Sequence, residues 1–183
     1  MKEEIKNKIK VELLKYPQEQ DWLEVKRRAL VTIGLTPKSL PNKEWRIKIL
    51  KAEHSPIRYL QFSFFIKNLP SWVATHLCRH IHAQPYVKSQ RNDRQKDYDR
   101  NKAPQDSPVD MIWDMNAEEL ITIARKRLCY QASEETRHVV KLMCEKVIEV
   151  CPEFKGLLVP NCIYRNGKCD EMFPCGKYDW SKK

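Results

Sequence analysis

Glycine is scarce in this chain. There are four in 183 residues (Gly34, Gly156, Gly167 and Gly176), and none falls in a G-x-G-x-x-G, Walker or G-x-S-x-G arrangement. That excludes the backbone-lined phosphate cradles of P-loop and dinucleotide folds, and the nucleophile elbow of the α/β-hydrolases. A nucleotide must therefore be held by side chains and helix ends. No apolar run approaches the roughly 18 residues of a membrane span. The opening "MKEEIKNKIKVELLKY" places charges where a secretory leader needs its apolar stretch. The expected location is cytoplasmic, with no membrane partner. Seven cysteines are an odd number, so a complete set of intrachain disulfides is impossible, and no secretory context favours bridges. Acidic residues are also short, 24 against 34 Lys and Arg, which leaves a net charge of +10 and a field that attracts phosphate-bearing partners. A well-solvated basic surface accounts for the same composition without any ligand. The aromatics are not interleaved with the basic residues as a single-strand platform requires, so nucleic acid is not an expected partner.

What is present reads as one domain, since the length is near the usual domain size and suffices to bury a core. Trp22, Val25, Ala29 and Ile33 recur at helical spacing over 20–33, until Gly34, Pro37 and Pro41 break the pattern. A helical period resumes over 44–53. Leu60, Phe62, Phe64 and Ile66 then alternate with Gln61, Ser63 and Lys67, the period of a strand with one face on a core. After Pro70, "SWVATHLCRHIHA" predicts a helix over 71–83, with His76, Arg79 and His80 on one stripe. The polar stretch from Pro85 to Asp114, with Pro85, Pro104 and Pro108, predicts mostly loop. Asn116 with Glu119 three residues on is a capping-box pattern, opening a helix that runs until Pro152 stops it. Arg127 lies three turns from Asn116 on that helix and shares its face. The tail from Gly156 has no period, and residues 1–19 read as an arm or a helix.

The chemistry concentrates in "RHIHAQPYVKSQR", residues 79–91. Arg91, Arg100 and Arg127, with Ser89 and Gln90, suit a small phosphorylated ligand, because a planar guanidinium matches phosphate and a serine adds a short-range donor. Solvated surface arginines are the competing reading. His76, His80 and His82 form H-x3-H-x-H with no acidic neighbour of the H-E-x-x-H kind, so no metal is expected there. Cys151, Cys162, Cys169 and Cys175 are separated by ten, six and five residues, unlike the C-x2-C knuckles of zinc ribbons. They read either as reduced, partly buried thiols or as a zinc site assembled from an irregular loop.

At these residues the chain resembles the flavin-dependent thymidylate synthases. Arg79, His80, Ile81, seven residues and Ser89 follow the family's Arg-His-Arg, seven residues, Ser signature. "HSPIRYLQFSFFIKNLPSWVATHLCRH", "RNKAPQDSPVDMIWDMN" and "NAEELITIARKRLCYQASEETR" are similar to its flanking elements, and "VPNCIYRNGKCDEMFPCGK" to the cysteine-rich end of some members. The resemblance spans 20–176, leaving 1–19 as an N-terminal arm or helix and 177–183 as a tail. It implies a single α+β domain with an antiparallel sheet packed against long helices, forming a homotetramer with FAD and dUMP where subunits meet. It further implies that NADPH reduces FAD, that methylenetetrahydrofolate supplies one carbon and the flavin hydride, and that dUMP becomes dTMP. Carried across, Ser55, Arg79, His80, Ile81 and Asn116 take flavin positions. His76, Arg79, Ser89, Gln90, Arg91, Arg100 and Arg127 take nucleotide positions, with Ser89 and Arg127 catalytic, Arg127 favouring the ionised N3 of the uracil. The chain departs from the pattern at Ile81, where the signature has arginine, at Val87, where the family has glutamate, and at His76, often glutamine. It also passes from Arg91 to Arg100 in a few residues where typical members insert a helical segment. These departures motivate a second reading, a catalytically altered relative that binds nucleotide or nucleic acid. The terminal cysteines motivate a third, a zinc-stabilised interaction module.

Overall fold

The computed structural model describes residues 7–95 and 98–177. Strand β1 (Lys10–Lys15) opens it, followed by helices α1 (Glu19–Val31) and α2 (Lys43–Lys51), a 3-10 turn (Ser55–Tyr59) and the long strand β2 (Gln61–Pro70). Helix α3 (Ser71–Leu77) and strands β3 (Gln84–Val87) and β4 (Pro108–Asn116) come next. Helices α4 (Ala117–Arg127) and α5 (Glu134–Val150), a second 3-10 turn (Pro152–Phe154) and the short α6 (Asn161–Tyr164) complete it. The four strands form one antiparallel sheet in the order β1-β2-β4-β3, so the architecture is α+β.

Alternation builds the sheet. Phe62, Phe64 and Ile66 of β2 and Val109, Met111, Trp113 and Met115 of β4 all point into one core, in register with Phe64 opposite Trp113. Helices cover that face: Trp22 and Val25 of α1, Leu120 and Ile123 of α4, and Val139, Val140, Met143 and Val147 of α5 are buried in the same cluster. Each such side chain contributes roughly 1.5–3 kcal/mol through apolar area removed from water. The opposite face carries the row Phe65, Ile112 and Tyr86, paired across three strands, with Ile112 and Tyr86 exposed. No described helix is long and apolar enough to cross a membrane.

Three expectations are corrected and one is refined. Residues 85–114 are mostly loop, as expected, but two strands bound the stretch: β3 ends at Val87, and the first seven residues of β4 close it. Pro108 opens β4 at its first position, where a missing N–H does no harm, and the alternation from Val109 to Met115 decides the rest. Helix α3 stops at Leu77. Tight turns follow, with His80 N donating to Leu77 O (3.1 Å) and Ala83 N to His80 O (3.1 Å). The helix expected to run from Asn116 to Pro152 is two helices broken at 128–133. Ser133 starts the second, its hydroxyl accepting from Thr136 N at 3.3 Å, with Glu134 and Glu135 against the positive end of the helix dipole. Within the N-terminal segment, where an arm or helix was expected, residues 10–15 form an edge strand: partly buried Val11 and Leu13 pack against the core while Lys10 and Glu12 are exposed. Residues 1–6 lie outside the described residues, as do 178–183 of the expected tail.

Candidate functional site

Helix α4 organises the site. Asn116 ends β4 and caps α4, its Oδ1 accepting from Glu119 N at 2.9 Å. The reciprocal half of the capping box is not formed. The Glu119 carboxylate instead meets His80, Oε1 to Nδ1 at 3.1 Å, with both side chains about a tenth exposed or less. On its other side His80 Nε2 accepts from Arg127 Nε at 2.8 Å, and the Arg127 guanidinium also donates to the His76 carbonyl at 3.1 Å. Both contacts are hydrogen bonds when Nδ1 carries the ring proton and Nε2 offers its lone pair. Three side chains thereby tie the turn after α3 to the two ends of α4.

Arg127 is half-buried without a carboxylate of its own. Burial, with the Arg79 charge nearby, lowers its pKa from the ordinary arginine value. Arg79 is exposed and has no carboxylate partner among the described residues. Two guanidinium groups that repel each other are the setting an anion stabilises. Arg125, two residues earlier, faces elsewhere. It donates to Asn161 Oδ1 and Glu53 Oε1, both at 3.1 Å, and lies 4.4 Å from the Tyr164 ring centre, so it locks α6 onto α4.

A cavity of about 700 Å³ opens between α3, the end of β3 and the segment around 98–105. Among its lining residues are Trp72, Thr75, His76, Lys88, Gln90, Tyr98 and Arg100, a donor-rich set of a size suited to a small organic ligand. The His76 ring packs edge-on against Trp72 at 5.4 Å. Val87 also lines it, on the wall where the family pattern has glutamate.

The sequence-predicted residues therefore divide into groups. His76, Gln90 and Arg100 share the cavity, while His80, Asn116 and Arg127 gather along α4 with Arg79 close by. Ser89 sits on the strand exit beside Gln90, its hydroxyl accepting from Arg91 N at 3.3 Å. Arg91 turns away to Asp93, at 2.9 and 2.6 Å. Ser55 is exposed at the start of the first 3-10 turn, and Ile81 is 79% exposed. Sequence reasoning missed Glu119, read only as half of a cap, and the lining residues Trp72, Lys88 and Tyr98. Lys88 was inside the quoted basic stretch. Trp72 and Tyr98 carried no signal beyond their residue type.

The cysteines regroup. Cys151 is buried in the core, its thiol pushed up to about 12 chiefly by burial, with the charge of Glu153 adding. Cys129 takes its place beside Cys162, Cys169 and Cys175 around a cavity of about 20 Å³.

A family model described as thymidylate synthase complementing protein matches residues 93–153, which include Arg100, Asn116 and Arg127. Among solved structures, thymidylate synthase X from Helicobacter pylori with FAD and dUMP is similar, with a TM-score of 0.64 and 15% identity. The match covers 82% of this chain and 97% of that one. A UMP/dUMP methylase, PolB from Streptomyces cacaoi bound with 5-Br dUMP, is similar to the same degree, with a TM-score of 0.64, 15% identity and the same coverage. No curated protein matches the sequence. The fold is thus that of these solved structures, and the stretch from 93 to 153 is similar to the thymidylate synthase complementing protein family.

Proposed function

We propose that this protein is an enzyme of the thymidylate synthase and uridylate methylase class, converting dUMP to dTMP with FAD, NADPH and methylenetetrahydrofolate. The observation that carries the reading is the pair of guanidinium groups, Arg79 and Arg127, without carboxylate partners among the described residues and next to a donor-lined cavity. In this reading His76, Gln90 and Arg100 hold the nucleotide in the cavity, Ser89 lies beside them, and Arg91 reaches it only by leaving Asp93. Arg127 supplies the fixed cation that favours the ionised N3 of the uracil and so makes C5 more nucleophilic. The donor chemistry fits an anionic dinucleotide in part. Ser55 and Arg79 are exposed, and the Asn116 amide nitrogen is not engaged by its cap, so these three would hold FAD. When bound, FAD supplies the hydride that completes the methyl group. His80 has both ring nitrogens engaged within the chain, so its part is to orient Arg127 rather than to contact the flavin. The homotetramer belongs to the same proposal: the row Phe65, Ile112 and Tyr86 on the uncovered sheet face is the apolar surface a second copy would bury.

The test is Arg127→Ala, with exposed Lys126→Ala as the control on the same turn. Deoxyuridylate-dependent oxidation of the reduced flavin should fall by about a hundredfold or more at position 127 and stay near wild type at position 126. FAD retention should be unchanged in both. Equal rates for wild type and Arg127→Ala would remove Arg127 from the chemistry. The exposed Ile81 and the apolar Val87 favour one alternative, a relative that binds nucleotide without turnover. Tight dUMP binding by a chain that retains no flavin after loading and gel filtration would select it.

A further inference from the structure

We propose that Cys129, Cys162, Cys169 and Cys175 together bind one zinc ion, which clasps the C-terminal segment onto the break between α4 and α5. Four of the seven cysteines line one cavity of about 20 Å³, the room of a single water-sized sphere. They come from distant points of the chain, Cys129 from the turn after α4 and the other three from 162–175. Soft thiolates select zinc over the hard cations.

The segment itself supplies the second argument. From 165 to 177 no side chain joins the hydrophobic core, and Met172 and Phe173 are 89% and 77% exposed. The fold holds this stretch by a few polar contacts: Arg165 with Asp170, the Gln131 amide with the Phe173 carbonyl, and Lys177 5.0 Å from the Tyr130 ring centre. An irregular stretch with no apolar burial of its own is the kind that metal ligation fixes. Among the described residues no three His, Cys, Asp or Glu side chains already form a ligating array. Zinc binding therefore draws the thiols inward to the ordinary Zn–S distance of about 2.3 Å. Cys169 and Cys175 are exposed, so this movement meets no packed core. Each thiol gives its proton to solvent as it binds. The resulting charge of about −2 on a four-thiolate zinc centre is met by Lys177, 5.0 Å from the ring centre of the cavity-lining Tyr130, and by the basic chain as a whole. Asp170 and Glu171 also line the cavity, and the test separates them from the thiols.

The experiment uses the full chain, reduced, supplied with zinc and then desalted. Elemental analysis should give about one zinc per chain. Mercurial titration of the wild type should release that zinc in step with mercaptide formation on four thiols. Cobalt substitution should give a thiolate-to-metal charge-transfer band. Cys169→Ser/Cys175→Ser, with both sites exposed, should keep the circular dichroism of the wild type and lose the metal. Cys78→Ser and Asp170→Asn/Glu171→Gln should keep it. No zinc in the reduced wild type, zinc retained by the cysteine double variant, or release that precedes thiol modification would each overturn the proposal. Two disulfides among the four cysteines in a chain that refuses zinc would replace it with a redox clasp.

Discussion

Glu119 shows how a residue can be legible in one role and serve another. Its place three residues after Asn116 marked a capping box, and the cap forms through its backbone N–H, while its carboxylate turns to His80. Nothing in local spacing reports that turn, because His80 lies 39 residues earlier and meets Glu119 only once β3 and β4 have paired. Glu119→Ala leaves the His80 Nδ1–H buried without an acceptor. It should lower the unfolding free energy by about 1–3 kcal/mol in a urea titration and reduce turnover through Arg127. An unchanged midpoint would show that solvent replaces the carboxylate. Burial pushes the thiols of Cys144 and Cys151 up to about 12. Since only the thiolate reacts, neither should take up iodoacetamide at neutral pH in the folded chain, and both should do so in denaturant. Mass spectrometry of the alkylated peptides reads this directly.

The elements divided by how local their causes are. Strand β2 and helices α1 and α2 were readable because their apolar residues keep a clean period within one segment. Strand β4 was equally periodic, with Val109, Met111, Trp113 and Met115 all inward, but its prolines and acidic residues drew the reading toward loop. The break in the long helix carried its own signal, a serine followed by two glutamates, masked by the apolar residues on either side. Ser133→Ala should remove the α5 cap and cost about 1 kcal/mol. Trp113→Ala, at the centre of the β2–β4 ladder and fully buried, should cost about 3–5 kcal/mol. If denaturant unfolding ranks these two the other way, the core is not centred where the packing puts it.

For the whole molecule, the charge of +10 and the exposed apolar row on the sheet point to two different partners. The charge favours an anionic ligand, with affinity that falls as salt screens it. The face favours another copy of the chain. Ile112 sits in the middle of the apolar row, opposite both Phe65 and Tyr86. Ile112→Lys should therefore reduce the mass seen by light scattering and weaken flavin retention together, if the flavin site is shared between copies. A wild-type monomer at micromolar concentration would contradict the tetramer. Sequence reading reached individual elements through periodicity, and the fold class and most residue roles through resemblance. It could not reach the grouping of Cys129 with the tail, since that depends on where α4 ends in space.

The ladder between β2 and β4 joins residues 61–70 to 108–116, and the connection between them carries α3, β3 and the cavity-lining residues Lys88, Gln90, Tyr98 and Arg100. Such a loop can change length with little penalty to the sheet, because doubling an already long connection adds only about 0.6 kcal/mol of closure entropy. The cavity wall can thus vary in length without disturbing the sheet. Its connection between Arg91 and Arg100 is short, and the wall can change there while the core of Phe64, Met111 and Trp113 stays fixed.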